Sequence, residues 1–338
     1  MKPTVFGILG AGWRAEFYLR IAAALPERFA CGGIYARRPE TAARLRATYA
    51  VPVIEDEEEF YATHFDFTVC CVRSAEMLTA ARRLLDRGHA VLCETPAATS
   101  PAQLEEQAAL IPQNARLQVA EQFMRQPEFA AARAIVESGL MGEVHYARVS
   151  AAHGYHAASI GRHLLGIGEE APDEAHCFKI PDPVRRTRGR AGRLAGEDVE
   201  AGQSLAILRF GKKTLQIDFS REQYFSPIRT GSLLVRGTRG ELSNGVLRYL
   251  DEQDEPITLP LIRRDFGQGT NLDGFAQDRI TCGTRVLYEN PFPLARLSDE
   301  ELAIASVLAD MQRYAAGGAP FYSLDEARAD CRLSFLFD

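Results

Sequence analysis

Thr4-Val5-Phe6-Gly7-Ile8-Leu9-Gly10-Ala11-Gly12-Trp13-Arg14-Ala15 sets a short, β-prone apolar run directly before Gly-x-Gly-x-x-Ala. A helical pattern follows, with Phe17, Leu19, Ile21, Ala22 and Leu25 as its apolar positions. Strand, glycine turn and helix are together the context that a dinucleotide fingerprint requires. Each small residue has a mechanical task. Gly10 permits the tight turn, Gly12 removes the Cβ that would hold a pyrophosphate off the backbone, and Ala15 lets the helix pack close to the strand. Phosphates would then rest on the unpaired N–H groups at the positive end of the helix. Trp13 and Arg14, inside the motif, join Gly10, Gly12 and Ala15 as expected cofactor-binding residues. An ordinary strand-to-helix turn is the plainer alternative.

Outward from this stretch, residues 1–122 alternate strand and helix, which implies a parallel sheet covered on both faces. Ala30–Tyr35 reads as the second strand, Pro39–Thr48 as a helix and Val53-Ile54 as a short third strand. The fully apolar run Phe67–Val72 reads as the fourth, Ala90–Cys93 as the fifth, and Arg116–Ala120 closes the sheet. Ser100-Pro101-Ala102-Gln103 opens a helix with a Ser cap and Pro in the first turn. Where the second strand ends, an acidic residue would bind the ribose 2′-hydroxyl of NAD. Ile34-Tyr35-Ala36-Arg37-Arg38 stands there instead. Two guanidinium groups without a carboxylate favour the 2′-phosphate of NADP, with NAD as the second possibility. The alternative is that Arg37 and Arg38 only flank the next helix.

From 123 to 338 the pattern changes. Leu215, Ile217 and Phe219 alternate with Gln216, Asp218 and Ser220, as in a sheet with one face in a core. Gln203–Phe210, Gly231–Arg236, Glu241–Ser243 and Val246–Leu250 add strands, and Ser298 and Ser323 open capped helices. The expected class is α/β: an N-terminal Rossmann doubly wound parallel sheet over 1–122, then a C-terminal α+β domain with an open, mainly antiparallel sheet over 123–338. Arg185-Arg186-Thr187-Arg188-Gly189-Arg190-Ala191-Gly192-Arg193 reads as a basic loop, either plainly solvated or closing over a ligand. The acidic run Glu55–Glu59 reads as the surface of a helix start.

Composition excludes several classes. With 338 residues, 46% of them hydrophobic and 25% charged, the chain has the make-up of a globular protein with room for two cores. No apolar run approaches the roughly 18 residues that span a bilayer, and the start carries no signal-peptide pattern, so a cytoplasmic protein without a membrane partner is expected. A net charge of −6, and the lack of aromatic residues among the arginines of 185–193, oppose nucleic-acid binding. Seven cysteines form no Cys-x-x-Cys pair and read as reduced core residues. His153-x-x-His156, with His163, His176 and Cys177 downstream, lacks a completing ligand cluster, so no metal is expected.

Val91-Leu92-Cys93-Glu94-Thr95-Pro96-Ala97, together with the first turn, resembles the Gfo/Idh/MocA family (glucose-fructose oxidoreductase, inositol dehydrogenase, rhizopine catabolism). The likeness continues through Gln122–Pro127, Ser138–Val144, Tyr322–Ala327 and Asp330, and so covers most of the chain. The resemblance implies an NAD(P)-dependent oxidoreductase that transfers a hydride between nicotinamide and a small polar substrate, a sugar, cyclitol or derivative. It implies a homodimer or homotetramer through the C-terminal sheet. The family's Glu-Lys-Pro motif falls on Glu94, Thr95 and Pro96, with Thr95 in place of the lysine. Its Asp-x-Gly-x-His-x-x-Asp motif, aligned on Gly154 and Gly166, falls on Ala152, His156 and Ser159, so only the histidine is retained. Arg73, after the fourth strand, would hold a cofactor ribose or an anionic substrate, or sit solvated. His is the side chain most easily tuned to exchange a proton near neutral pH. His156 is therefore the expected proton carrier, with Tyr155, Thr95 or His153 orienting the substrate and a core or capping histidine as the alternative. Two other functions stay open: a reductase of an imine or unsaturated substrate, and a catalytically inactive nucleotide-binding sensor.

Overall fold

A computed structural model describes residues 2–112, 114–265, 277–293 and 295–338. The chain divides into two compact units: Met1–Gln126 with Asp265–Asp278 and Asn290–Arg328, and Pro127–Arg264 with Arg279–Glu289 and Ala329–Asp338.

The first unit begins β1 (Thr4–Leu9), α1 (Ala15–Ala24), β2 (Phe29–Tyr35), α2 (Pro39–Tyr49), β3 (Val53–Ile54), α3 (Glu57–Ala62), β4 (Phe67–Cys70), α4 (Met77–Asp86), β5 (Val91–Cys93), α5 (Pro101–Ala108) and β6 (Leu117–Val119). Its six strands lie in the order β3-β2-β1-β4-β5-β6, and every pairing is parallel. The order reverses between β1 and β4, and ligands of such sheets bind at the carboxyl ends of the strands at this point. Phe6, Ile8, Ile34, Phe67, Val69 and Leu92 are all 0% exposed, as expected of strands covered on both faces. Helix α3 starts at a true cap: Asp56 accepts the Glu59 N–H at 2.8 Å, and the acidic first turn meets Arg83 and Arg87 from α4 and the residue after it.

The second unit contains α6 (Pro127–Glu137), β7 (Val144–Ser150), α7 (Gly154–Leu165), β8 (Glu174–Gly189), β9 (Gly192–Phe210), β10 (Lys213–Ser220), a 3-10 turn at Arg221–Tyr224, β11 (Ser232–Gly237), β12 (Gly240–Ser243), β13 (Val246–Leu250), β14 (Pro256–Asp265), β15 (Gln277–Cys282) and β16 (Arg285–Glu289). These ten strands form a mixed, mainly antiparallel sheet, β16-β15-β14-β13-β12-β11-β7-β10-β9-β8, in which β7 and β10 run parallel. Leu215, Ile217 and Phe219 are buried on the face covered by α7, while Gln216 and Asp218 are half-buried on the other.

One expectation is overturned. Residues 185–193 are no loop; they belong to β8 and β9 and form the end of a long hairpin. Arginines can occupy strands here because acidic partners stand opposite in register: Arg185 pairs with Asp198 at 3.0 Å and Arg186 with Glu197 at 3.2 Å.

After β16 the chain returns to the first unit with α8 (Asp299–Ala315) and the opening of α9 (Leu324–Phe337). The Ser298/Glu301 capping box starts α8, whose Leu302, Val307, Leu308 and Met311 join the core of Tyr18, Ile21 and Phe67. The sequence reading closed the first domain at residue 122, whereas this unit also holds residues 290–328. Among the described residues, no helix is long and apolar enough to cross a membrane.

Candidate functional site

At the carboxyl ends of β1, β2 and β4 lies a cleft of about 700 Å³. Gly10, Gly12, Arg37, Arg38 and Arg73 line it together, so five of the expected cofactor residues converge. Gly10 has φ +107°, and a Cβ there would stand 2.7 Å from the Cys71 carbonyl oxygen, so the turn demands glycine. At Gly12 a Cβ would meet nothing within 4 Å. The space it would enter is the seat a pyrophosphate needs at the amino end of α1. Ala15, 0% exposed, lets α1 lie close to the sheet. Tyr35, Thr41, Glu57 and Arg83 complete the wall near Arg37 and Arg38. Glu57 is held by Arg83 at 3.0 Å.

The remaining first-unit candidates lie outside that lining. Trp13 is 47% exposed, its ring edge-on to Phe17 at 5.6 Å and under the Arg14 guanidinium at 4.6 Å. Arg14 and Glu94 face a buried network. Tyr18 Oη donates to Glu94 Oε1 at 2.5 Å, the Thr95 N–H donates to Glu94 Oε2 at 3.2 Å, and Arg14 Nη1 meets Glu300 at 2.7 Å with its Nε 3.8 Å from Glu94. Burial pushes the Glu94 carboxyl and the Tyr18 phenol upward, and Arg14 stays charged because Glu94 and Glu300 outweigh its own burial. This network ties the fingerprint helix to the end of β5, where the Thr95–Pro96 bond is cis. Tyr18 carried no motif in the sequence; its partner became visible only once β5 lay beside α1.

In the second unit the expected histidines gather at the start of α7. His153 is the N-cap residue, and its ring meets Tyr155 at 5.2 Å and His156 at 5.3 Å, with Tyr155 and His156 4.3 Å apart. His156 is 4% exposed. A residue the sequence reading missed completes the cluster: Tyr224 Oη lies 2.6 Å from His153 Nδ1 and accepts the His153 backbone N–H at 3.0 Å. Seventy-one positions separate the two, and no spacing rule links them. Burial lowers His153 to about 4, with His156 and Arg221 acting in the same direction and Asp338 opposing. His153 is therefore neutral at neutral pH. Ala152 and Ser159 are 0% exposed, and His163 turns its Nδ1 toward the Ser159 carbonyl at 2.8 Å. No group of three or more His, Cys, Asp or Glu among the described residues is placed to hold a metal.

A doubly wound sheet with a glycine turn and an open phosphate seat at its switch point defines a dinucleotide-binding protein. Residues 5–122 match the Gfo/Idh/MocA family model, described as an oxidoreductase family with an NAD-binding Rossmann fold. Over these residues the chain is similar to that family of NAD-binding oxidoreductases. No curated protein matches the chain. Among solved structures, levoglucosan dehydrogenase in complex with NADH and levoglucosan is 15% identical, covering 99% of this chain and 96% of its own, with a TM-score of 0.68. An Agrobacterium radiobacter oxidoreductase in complex with NAD+, L-tartaric acid and magnesium is 16% identical over 98% and 94%, TM-score 0.67. A putative myo-inositol dehydrogenase from Sinorhizobium meliloti 1021 is 17% identical over 98% and 95%, TM-score 0.64. At such identities the likeness is one of fold.

Proposed function

We propose that the chain transfers a hydride between a nicotinamide cofactor, NADP(H) in preference to NAD(H), and a small polar alcohol or carbonyl such as a sugar or cyclitol. The observation that carries this is the cleft in which Gly10 and Gly12 share a wall with Arg37, Arg38 and Arg73. The glycines would seat the pyrophosphate, and Arg37 and Arg38 would bind the 2′-phosphate through charge-assisted bonds. When bound, the cofactor supplies the hydride chemistry. The chain's own residues then have to bind the substrate and move one proton. His156 is the proton carrier in this reading, with Tyr155 and Thr95 orienting the substrate. The sugar and cyclitol class is supported by relatives of the same fold that are named for levoglucosan and inositol. The full burial of Ala152 and Ser159, where the family carries carboxylates, favours a second reading, a nucleotide-binding protein without turnover.

Titration of cofactor-free protein with NADPH and NADH, followed by nicotinamide fluorescence, tests the cofactor assignment. NADPH is expected to bind at least tenfold more tightly. Arg37→Ala with Arg38→Ala should erase that difference, and an unchanged ratio would remove the two arginines from the site. Trp13, the single tryptophan, gives an internal reporter within the fingerprint. His156→Ala turning over an identified substrate at the wild-type rate would leave the binding reading standing alone.

Two further expectations remain proposals. The seven cysteines stand outside any disulfide, which supports a reducing, cytoplasmic location. A homodimer or homotetramer through the large sheet is supported by its apolar end: Phe178 is 55%, Ile180 40% and Ile207 39% exposed, and the hairpin register puts them on one face. Sedimentation equilibrium should return twice or four times the 37.3 kDa chain mass; a monomer would exclude this assembly.

A further inference from the structure

The cofactor cleft holds more charge than the two arginines assigned to the 2′-phosphate. Arg37, Arg38, Arg73 and Arg83 line it together with the carboxylates of Glu57 and Glu76. The register of the sheet accounts for Glu57. β2 and β3 pair Tyr35 with Ile54, and the Ala36 N–H donates to the Ile54 carbonyl at 3.1 Å, so the two strands end side by side. The chain leaving β2 supplies Arg37 and Arg38, and the chain leaving β3 supplies Glu57, the first residue of α3. The Tyr35 phenol feels both. Burial pushes it upward, with Glu57 and Asp56 acting in the same direction and Arg37 and Arg83 opposing.

A carboxylate at this place matters. An acidic side chain beside the adenosine ribose accepts a hydrogen bond from the 2′-hydroxyl of NAD and repels the 2′-phosphate of NADP. Glu57 stands where such a group would act, yet it is not bare. Arg83 Nη1 meets its Oε1 at 3.0 Å, and Arg83 Nη2 meets Glu58 Oε1 at 3.2 Å. The Arg83 guanidinium also lies 4.4 Å over the ring of Tyr61, which is 3% exposed, so aromatic packing fixes where it stands. Glu58 has a second cation, Arg87 at 2.7 Å, whereas among the described residues Arg83 is the one cation paired with Glu57. The start of α3 does not require Glu57, because Asp56 is its cap.

We infer that Glu57 and Arg83 are specificity-determining residues for the adenosine end of the cofactor, with Arg83 cancelling a carboxylate that would otherwise turn the cleft toward NAD. The inference rests on the cofactor reading above and deepens it. Arg37 and Arg38 attract the 2′-phosphate, and Arg83 removes the repulsion that would oppose them. Both terminal nitrogens of Arg83 are engaged by carboxylates, so its part is to neutralise Glu57 rather than to hold the phosphate itself. The two side chains are 46% and 43% exposed, and a pair so exposed contributes little to folding, so it can be taken apart in a folded protein.

A double-mutant cycle read by NADPH and NADH titration tests the pair, with circular dichroism following the fold of each variant. Arg83→Met should weaken NADPH binding about tenfold and NADH binding by less than about threefold, because the uncovered Glu57 carboxylate faces a dianion in one cofactor and a hydroxyl in the other. Glu57→Gln should hold NADPH at least as tightly as wild type. With Glu57→Gln added to Arg83→Met, NADPH affinity should return to within about threefold of wild type. An unchanged NADPH-to-NADH ratio in folded Arg83→Met overturns the inference and leaves the Arg37 and Arg38 assignment standing. A double variant as weak as Arg83→Met alone shows Arg83 acting on the phosphate directly, which overturns the neutralising role. Folded wild-type protein that binds neither nucleotide, or binds NADH as tightly as NADPH, overturns the cofactor reading, and the pair with it.

Discussion

Arg162→Met is expected to destabilise the protein by about 3–5 kcal/mol, the cost of leaving one partner of a buried ion pair without the other. Arg162 on α7 and Asp330 on α9 are 4% and 3% exposed, with Nη1 and Oδ1 2.5 Å apart, and Arg162 Nε donates to the Gly168 carbonyl at 2.7 Å. Both residues lie in the second unit, so the pair fastens the last turns of the chain to the helix that begins with the histidine cluster. Methionine keeps most of the side-chain volume and removes the charge, which leaves the Asp330 carboxylate in a site closed to water. The loss should appear as a lower urea midpoint by circular dichroism with an unchanged slope. Asp330→Leu added to Arg162→Met should recover much of it, because two apolar residues in place of a buried pair are often neutral or better. A loss under about 1 kcal/mol in the single variant would show that water reaches the carboxylate.

The first unit was legible in the sequence because its signals are local. An apolar run of strand length, a glycine where the backbone must turn, and a helical period in the next ten residues report the same structure at every scale, and the sheet order follows from parallel connections. The hairpin of β8 and β9 failed this test for a physical reason. Its arginines carry no alternation a reader could recognise, and their stabilising partners, Glu197 and Asp198, are neighbours only in the register of the opposite strand. Tyr224 was hidden the same way. His153, Tyr155 and His156 are close in sequence and came together at one helix start, but the hydroxyl that completes their cluster arrives from another strand end. Arg14 shows the converse limit: the fingerprint identified its position, while its side chain turned to the buried Glu94–Tyr18 network instead of the cleft.

Gly12→Val should lower NADH and NADPH affinity at least 100-fold, about 2.7 kcal/mol, while leaving the unfolding midpoint near wild type. The two halves of that expectation come from one fact: a Cβ at residue 12 meets no protein atom within 4 Å. The fold offers no contact to the new Cβ, so the added side chain acts chiefly on what approaches from the cleft, where phosphate oxygens must reach the backbone at the amino end of α1. Gly10→Ala provides the contrast. There φ is +107° and the new Cβ would press on the Cys71 carbonyl oxygen at 2.7 Å, so the turn itself must shift and stability should fall by about 1–3 kcal/mol. A lost affinity in Gly10→Ala would therefore be ambiguous between fold and ligand. In Gly12→Val it is not. If folded Gly12→Val protein still quenches Trp13 and enhances nicotinamide fluorescence as wild type does, the open space at residue 12 is not the phosphate seat, and the cofactor must bind this cleft by another route.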